Sequence, residues 1–334
     1  MNWKVLVMSI TYNQSNYILD TLNGFTMQQT DFPYVCTIID DASTDGEQEL
    51  IVQYMHEHFC MDDKDVAYIH ETEYARIIFA QHKMNKNCYF VACLLKYNHY
   101  SRKISYKKVQ YIKEWWDEAE YIALCEGDDY WIDSCKLQKQ VTFLDAHADY
   151  SLCGSNGFIH WDEGVYKPSY FNRVFENRDV AIDELINGWF FPTASLCYRK
   201  QVRENYPEWS RKIYSGDQTL VLVAASRGKI YCLGDLTCIY RRSVSSKISV
   251  TNRTASDFMY KQHKLLYTEF NEFTNRMYDS VIQPKVKELD RHIEFLNWLN
   301  CKSLFFTNPV KYTRRIWEFF VCSKYVGLRN RLKK

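Results

Sequence analysis

The chain has 334 residues, enough to bury the core of one large domain with an appendage, or of two domains. Its hydrophobic and charged fractions, 46% and 25%, are ordinary for a globular protein. The net charge of +1 gives no general attraction to nucleic acid, which we therefore exclude as a partner.

The twelve cysteines predict a reducing environment. None forms a CxxC pair, and several, such as Cys36 and Cys125, stand inside apolar runs, which is typical of buried, reduced thiols. The N-terminus lacks the long apolar stretch of a signal peptide, and no segment approaches the roughly 18 apolar residues of a membrane span. We therefore expect the protein in the cytoplasm.

Short apolar runs alternate with segments of helical periodicity in the first half of the chain. The runs predict four strands, at residues 5–10, 34–39, 66–69 and 121–125. The segments between them have apolar faces at helical spacing, and the second begins with a capping-box pattern at residues 44–47. Strands that alternate with helices predict an α/β fold with a mostly parallel central sheet.

The remainder of the chain is less regular. Residues 71–108 are polar, aromatic and basic with weak periodicity, and we interpret them as a long connection or insertion. Further along, the pattern predicts a helix near 219–225 and short strands at 230–233 and 237–240. From about residue 256 the chain is amphipathic, which predicts a helical C-terminal extension.

An acidic motif directly follows the fourth predicted strand. It comprises Glu126, Gly127, Asp128, Asp129, Tyr130 and Trp131. Ligands of open α/β sheets bind at the carboxyl ends of the strands, and clustered carboxylates suit Mg²⁺ or Mn²⁺ when a diphosphate completes the ligand set. Trp131 would offer a face for stacking. A solvated acidic turn that caps the next helix is the alternative interpretation.

Two further acidic groups follow predicted elements. Asp40 and Asp41 end the second strand, where one of them could accept a hydrogen bond from a nucleobase, whereas Thr44 or Asp45 would cap the next helix. Asp217, at the start of a predicted helix, is a candidate general base, with helix capping as the alternative. The chain has no GxGxxG, Walker A or GxSxG motif, which argues against nicotinamide oxidoreductases and P-loop kinases.

In their order and spacing, these motifs resemble those of glycosyltransferase family 2, the GT-A type found in bacterial cell-surface polysaccharide synthesis. The resemblance covers about residues 3–250. It rests on VLVMSITYN at 5–13, IIDDASTD at 38–45, ALCEGDDYW at 123–131, KLQKQV at 136–141 and the pair Gly216-Asp217. Two positions depart from the family pattern: Glu126 replaces an aspartate, and Ser243 stands where a histidine is frequent.

The resemblance implies a GT-A catalytic domain over residues 1–250, with a nucleotide-sugar half at about 1–130 and an acceptor half at 131–250, followed by a helical extension at 251–334. It implies an inverting, metal-dependent glycosyltransferase. The enzyme would move a sugar from a nucleoside diphosphate, with UDP favoured, to a hydroxyl of a glycan or lipid-linked acceptor in cell-surface polysaccharide biosynthesis. The alternatives are a catalytically degenerate, sugar-nucleotide-binding relative and a nucleotidyltransferase.

Roles for single residues also follow from the resemblance. The implied site residues are Thr11, Tyr12, Asn13, Asp41 and Glu126 for the donor nucleotide, Asp128 for a Mn²⁺ or Mg²⁺ ion, Asp217 as the catalytic base, and Asp129 and Trp131 for a sugar or acceptor pocket. Among the nucleotide-binding residues, Asp41 is expected to hydrogen-bond the base itself.

Residues 309–334 predict contact with a membrane surface. This segment has eight basic residues, one acidic residue and several interleaved aromatic residues. A basic, aromatic helix without a membrane span suits the interface of an anionic leaflet. A helix packed on the catalytic domain is the alternative. We expect the protein at the inner face of the cytoplasmic membrane, where a lipid-linked acceptor would be available.

Overall fold

The computed structural model describes residues 2–162, 164, 167–243, 257–300, 310 and 313. They form two compact units. The larger contains the described residues of 1–210 and 216–246, and the smaller those of 211–215 and 247–334. The predicted membrane-binding segment, 309–334, lies outside the described residues except at two positions. Within the described part of the chain, no helix is long and apolar enough to cross a bilayer.

The described strands of the larger unit form one sheet. They are β1 (Val5–Thr11), β2 (Tyr34–Asp40), β3 (Ala67–Glu71), β4 (Ala75–Gln81), β5 (Cys88–Leu95), β6 (Tyr121–Leu124), β7 (Tyr130–Trp131), β8 (Tyr150–Trp161), β9 (Ser169–Tyr170), β10 (Arg178–Val180), β11 (Cys197–Arg199) and β12 (Lys229–Arg242). The main path runs β10-β12-β8-β11-β6-β1-β2-β5-β4-β3, while β7 pairs with β12 and β9 with β8.

The centre of this sheet is parallel, as predicted. β5, β2, β1 and β6 are parallel neighbours in that order. β2 and β5 are buried along their whole length, which explains their unbroken apolar sequences. Toward both edges the strands pair antiparallel, apart from the parallel pair of β8 and β12. The sheet as a whole is therefore mixed rather than mostly parallel.

Helices cover the sheet. Those of the larger unit are α1 (Ile18–Thr26), α2 (Glu47–His58), α3 (Lys113–Glu118), α4 (Lys136–Ala146), α5 (Ile182–Asn187) and α6 (Gly216–Ala225). One hydrophobic core joins the apolar faces of α1, α2 and α4 to the central strands. The apolar faces predicted for α1 and α4 are confirmed. The residues that form these two faces are fully or almost fully buried: Ile18, Leu22, Phe25, Leu137, Val141 and Leu144.

The interpretation of residues 71–108 as a long connection is wrong. This stretch contains β4 and β5, and β5 pairs with β2 along the parallel centre of the sheet. A short 3₁₀ helix, Ser105–Ile112, leads from this region into α3. The eight residues of β5 are all buried, so their apolar character was a usable strand signal.

The smaller unit is helical over its described residues, as the amphipathic pattern predicts. It contains α7 (Phe258–Phe273) and α8 (Asp279–Asn300). The two helices share a buried seam that includes Leu266, Phe270 and Ile282. An ion pair of 2.6 Å between Lys264 Nζ and Asp290 Oδ1 joins their polar faces.

The described cysteines are free thiols. The buried ones are Cys36, Cys88, Cys93, Cys125, Cys153, Cys197, Cys232 and Cys238, whereas Cys60 and Cys135 are partly accessible. Most of the buried thiols lie in strands of the sheet. The prediction of reduced, buried cysteines is therefore confirmed for this part of the chain.

Candidate active site

The predicted site residues follow the carboxyl ends of β1, β2 and β6, which are parallel neighbours. In the β1–β2 register, Thr11 stands opposite Asp40. The amide nitrogen of Gly127 donates to the carbonyl oxygen of Ile10 at 3.2 Å, so the acidic motif continues alongside β1. The three motifs therefore meet at one edge of the sheet, where open α/β sheets bind their ligands.

Gly127 allows the acidic motif to touch the end of β1. A Cβ atom at this position would overlap the side chain of Thr11. From the other side, Thr21 Oγ1 of α1 donates to the carbonyl oxygens of Gly127, at 3.0 Å, and of Asp129, at 2.6 Å. The backbone that carries the acidic side chains is thus held by two different elements.

The acidic motif alternates between exposed and buried side chains. Glu126 is exposed and Asp128 is half-buried, whereas Asp129 is only 2% exposed. Asp129 Oδ1 accepts the backbone N–H of Arg241 in β12 at 2.8 Å, and its Oδ2 is buried without a hydrogen-bond partner. The prediction that Asp129 lines an open sugar pocket is therefore wrong, because its side chain points inward and ties the motif to β12.

Negative charge is concentrated in this cleft. Burial by the surrounding protein raises the pKa of Glu126 to about 8, and the charges of Asp128 and Asp217 contribute to this shift. Part of the Glu126 side chain is nevertheless open to solvent. Burial also raises the pKa of Asp128, against the opposing effect of the Arg241 guanidinium. Burial, reinforced by the charge of Asp128, raises the pKa of Asp129 well above its ordinary range. The cleft is therefore a favourable place for a cation.

The turn after β1 is held mostly by the protein itself. Thr11 Oγ1 donates to Glu47. Asn13 has a positive φ of 55°, which asparagine tolerates, and its Oδ1 accepts the backbone N–H of Thr44 at 2.8 Å. Tyr12, by contrast, is 45% exposed. Of the three residues predicted here to bind the nucleotide, Tyr12 and Asn13 are exposed and Thr11 is buried.

Glu47 is a residue of this site that the sequence interpretation missed. It is fully buried, and its carboxylate accepts hydrogen bonds from Thr11 Oγ1, the backbone N–H of Gln14 at 2.8 Å and Ser43 Oγ at 2.9 Å. The predicted capping box is wrong, since Gly46, with φ of 90°, takes the N-cap position and Glu47 turns away from the helix. Glu47 thereby joins the turn after β1 to the loop after β2.

Asp41 is covered by the segment that follows β5. Its carboxylate accepts the backbone N–H groups of His99, at 2.7 Å, and Tyr100, at 3.1 Å, and forms an ion pair of 2.9 Å with Lys108 Nζ. Asp41 is 1% exposed, so a base could reach it only if this segment moved away. The predicted direct contact with a base is therefore wrong for this structure, in which Asp41 holds residues 99–108 in position.

We expect Lys108→Met to lower the free energy of unfolding by about 3–5 kcal/mol, because it leaves the carboxylate of Asp41 buried without its cation. Combined with Asp41→Asn, the loss should be smaller than the sum of the two single losses. Chemical denaturation of the four proteins measures this coupling, with Lys107→Met as the neighbouring control. Strictly additive losses would show that the pair is not coupled.

Asp217 lies in the first turn of α6, close enough to the acidic motif for its charge to contribute to the raised pKa of Glu126. Its Oδ1 accepts the backbone N–H of Gln218 at 2.8 Å, and its Oδ2 accepts Thr193 Oγ1 at 3.3 Å. The indole of Trp189 is close enough to this carboxylate to favour its charged form. Burial raises the pKa of Asp217 despite these donors.

Trp131 belongs to the hydrophobic core. It is 1% exposed, and its indole N–H donates to the carbonyl oxygen of Ala194 at 2.8 Å. Its ring packs edge-on against Phe25, and the Lys136 ammonium lies 4.4 Å from its centroid. The prediction that Trp131 offers a stacking face to a sugar is therefore wrong.

Sequence comparison identifies relatives of this chain. Residues 6–82 match the family model described as Glycosyl transferase family 2. Protein Rv1520 of Mycobacterium tuberculosis H37Rv is 31% identical over 236 residues, which cover 71% of this chain and 58% of the relative. TuaG of Bacillus subtilis strain 168 is 27% identical over 197 residues, which cover 54% of this chain and 64% of TuaG. Its name describes it as a candidate glycosyltransferase of teichuronic acid biosynthesis. The matches thus span less than two thirds of these relatives.

Two solved structures share the fold. TarS 1–349 of S. aureus aligns with a TM-score of 0.54 and 18% identity, over 93% of this chain and 77% of the other. The mannosyltransferase PcManGT from Pyrobaculum calidifontis, in complex with GDP-Man and Mn²⁺, aligns with a TM-score of 0.53 and 10% identity, over 99% and 83%. With the matching motifs at the carboxyl edge of the sheet, the chain is similar to glycosyltransferase family 2 over residues 6–82 and has an α/β fold of the GT-A type.

Proposed function

We propose that the protein is an inverting glycosyltransferase that moves a sugar from a nucleoside-diphosphate donor to a hydroxyl acceptor in polysaccharide biosynthesis. The observation that carries this proposal is the arrangement of carboxylates in one cleft. Glu126 and Asp128 follow β6, and Asp217 approaches from a different segment, within electrostatic range of Glu126. The match of residues 6–82 to the glycosyltransferase family model and the name of the relative TuaG support the same conclusion.

The residues of the acidic motif fit a divalent cation. Carboxylate oxygens suit Mg²⁺ and Mn²⁺. Burial raises the pKa of both Glu126 and Asp128, with smaller contributions from neighbouring carboxylates, so a bound cation would favour their charged forms. Among the described residues, no group of three or more His, Cys, Asp or Glu side chains could hold a metal by itself, so the sugar donor would supply further ligands. Asp128 would hold the ion, and Glu126 would contact the ion or the ribose. When bound, the ion neutralises charge on the leaving diphosphate.

The turn after β1 and the neighbouring loops would bind the nucleotide. The exposed ring of Tyr12 provides a face for the base. Thr11, Asn13 and Asp41 would shape the pocket indirectly, because their hydrogen bonds hold the neighbouring loops. UDP is our proposed nucleotide, whereas the structural neighbour PcManGT is in complex with GDP-Man, so both classes of donor belong in the test.

On the acceptor side, Asp217 would act as the general base. An acceptor hydroxyl beside this carboxylate would transfer its proton to Asp217 as the oxygen attacks the anomeric carbon on the face opposite the diphosphate. Thr193 Oγ1 and the backbone N–H of Gln218 hold the carboxylate in place. The raised pKa makes Asp217 a stronger base than an ordinary aspartate. A single displacement of this kind inverts the anomeric configuration.

A panel of UDP-, GDP- and dTDP-sugars, with and without Mn²⁺ or Mg²⁺, tests the proposal through release of the nucleoside diphosphate. We expect turnover with at least one donor and loss of turnover in excess chelator. Nucleotide binding without turnover would instead support a degenerate binding protein. Pyrophosphate release from a nucleoside triphosphate and a sugar phosphate would support a nucleotidyltransferase. Retention of anomeric configuration in the product would contradict the single displacement.

We also propose that residues 309–334 bind an anionic surface of the cytoplasmic membrane, on the basis of their composition. In flotation with phosphatidylserine vesicles, replacing Arg314 and Arg315 with glutamine should weaken binding by about fivefold per residue, because each basic residue near the surface contributes about 1 kcal/mol. High salt should produce a similar loss. Equal flotation of the full chain and of a chain that ends at residue 308 would contradict the proposal.

A further inference from the structure

Three aromatic side chains pack together on the acceptor side of the cleft. Phe171 follows β9, Trp189 follows α5 and Tyr240 lies in β12. Their ring centroids are 5.5–5.6 Å apart in every pair, with interplanar angles of 74–85°. Edge-to-face packing of this kind fixes the orientation of each ring. All three side chains are only half-buried, so the trio keeps an accessible aromatic surface.

The trio is adjacent to the proposed base. The indole of Trp189 lies close enough to Asp217 to favour its charged form, and Trp189 lines a small cavity together with Gln218, the residue that follows Asp217 in α6. Burial raises the pKa of the Tyr240 hydroxyl, and the charges of Asp129, Glu126 and Asp217 add to this effect. The aromatic surface is therefore close to both the donor acids and the proposed base.

Trp189 differs from the tryptophans of the core. Trp3, Trp115 and Trp131 are at most 5% exposed. Trp189 instead lies near a carboxylate of the site and is only half-buried. An accessible indole beside a general base is suited to an apolar ring whose edge carries hydroxyl groups. A pyranose has this shape, because its C–H bonds form an apolar face and its hydroxyls lie at the rim.

We propose that Trp189, held by Phe171 and Tyr240, is an acceptor subsite that stacks a pyranose ring and brings one of its hydroxyls to Asp217. This inference rests on the proposed glycosyltransferase function and adds the class of acceptor, a carbohydrate. A lipid chain would instead require a deep aliphatic pocket. Here the cavity beside Trp189 and α6 is small, with an empty volume of about 230 Å³ that includes open solvent.

Two substitutions of Trp189 separate stacking from the effect of the indole N–H on Asp217. Trp189→Phe and Trp189→Leu both remove the indole N–H, but only Trp189→Phe keeps an aromatic face. With a saturating sugar donor and methyl hexopyranosides as acceptors, we expect the acceptor KM of Trp189→Leu to exceed that of Trp189→Phe by about tenfold, the scale of aromatic stacking on a ring. Thr193→Val is the matched control, since it removes a donor to Asp217 and should change kcat and its pH profile without changing the acceptor KM.

A binding measurement keeps the proposal testable if Trp189→Leu proves unstable. Saturation-transfer NMR of the wild-type protein with a methyl hexopyranoside should show transfer mainly to the C–H protons of one ring face. Equal acceptor KM values for the two Trp189 variants, or donor hydrolysis without transfer to any pyranoside, would overturn the acceptor subsite and leave the proposed function standing. A wild-type protein that turns over no nucleotide sugar would overturn both.

Discussion

Asp217→Asn is expected to lower kcat by roughly 10²–10⁴-fold, the usual cost of losing a positioned general base, with little change in the affinity for the sugar donor. Asparagine keeps the size of the side chain and can still accept the backbone N–H of Gln218, as Asp217 does at 2.8 Å. It cannot take a proton from the acceptor. Steady-state kinetics, donor titration and thermal unfolding of the two proteins together measure this effect.

The pH dependence of kcat gives an independent check on Asp217. Burial raises the pKa of this carboxylate, so it is deprotonated only at a higher pH than an ordinary aspartate. The kcat of the wild-type protein should therefore fall as the pH decreases through this raised pKa, and Asp217→Asn should lack that limb. Near-normal turnover of Asp217→Asn would instead assign Asp217 to the helix start alone, because asparagine caps about as well as aspartate.

Asp128→Ala is expected to reduce metal-dependent binding of the sugar donor by about 100-fold or more while the protein stays folded. Asp128 is half-buried in the cleft rather than in the core, so its removal leaves no large cavity. Isothermal titration of UDP and GDP, with and without Mn²⁺, measures the effect, and Asp62→Ala serves as an exposed acidic control. Unchanged turnover by Asp128→Ala, or by the wild-type protein in excess chelator, would rule out the proposed metal site.

The sequence predicts well those strands that can be recognised from their own residues alone. β1, β2 and β6 are covered on both faces and therefore have continuous apolar runs. β5 has the same signal, but it lies among polar residues and follows the antiparallel β4 without a helix between them. A strict alternation of strands and helices does not anticipate that arrangement, and this is why the region was interpreted as a connection.

The errors within the site have two different causes. The partners of Asp41 are far away in the chain, so no local pattern indicates that Lys108 and the backbone at 99–100 would cover it. The inward direction of Asp129 and Trp131 was missed for another reason. Residues 127 and 128 form a turn, so no regular alternation of faces runs through the acidic motif and indicates which of its side chains are buried.

The free, buried thiols allow local opening of the sheet to be measured by chemical labelling, without any substitution. Only a thiolate reacts readily with alkylating reagents, and burial raises the pKa of Cys197 and Cys238 to about 12. In the folded protein, a reagent would therefore first modify Cys60 and Cys135 among the described cysteines. Labelling at any of the others requires the surrounding structure to open. The labelling rates of single cysteines, separated by mass spectrometry, would thus report how easily different strands of one sheet come apart.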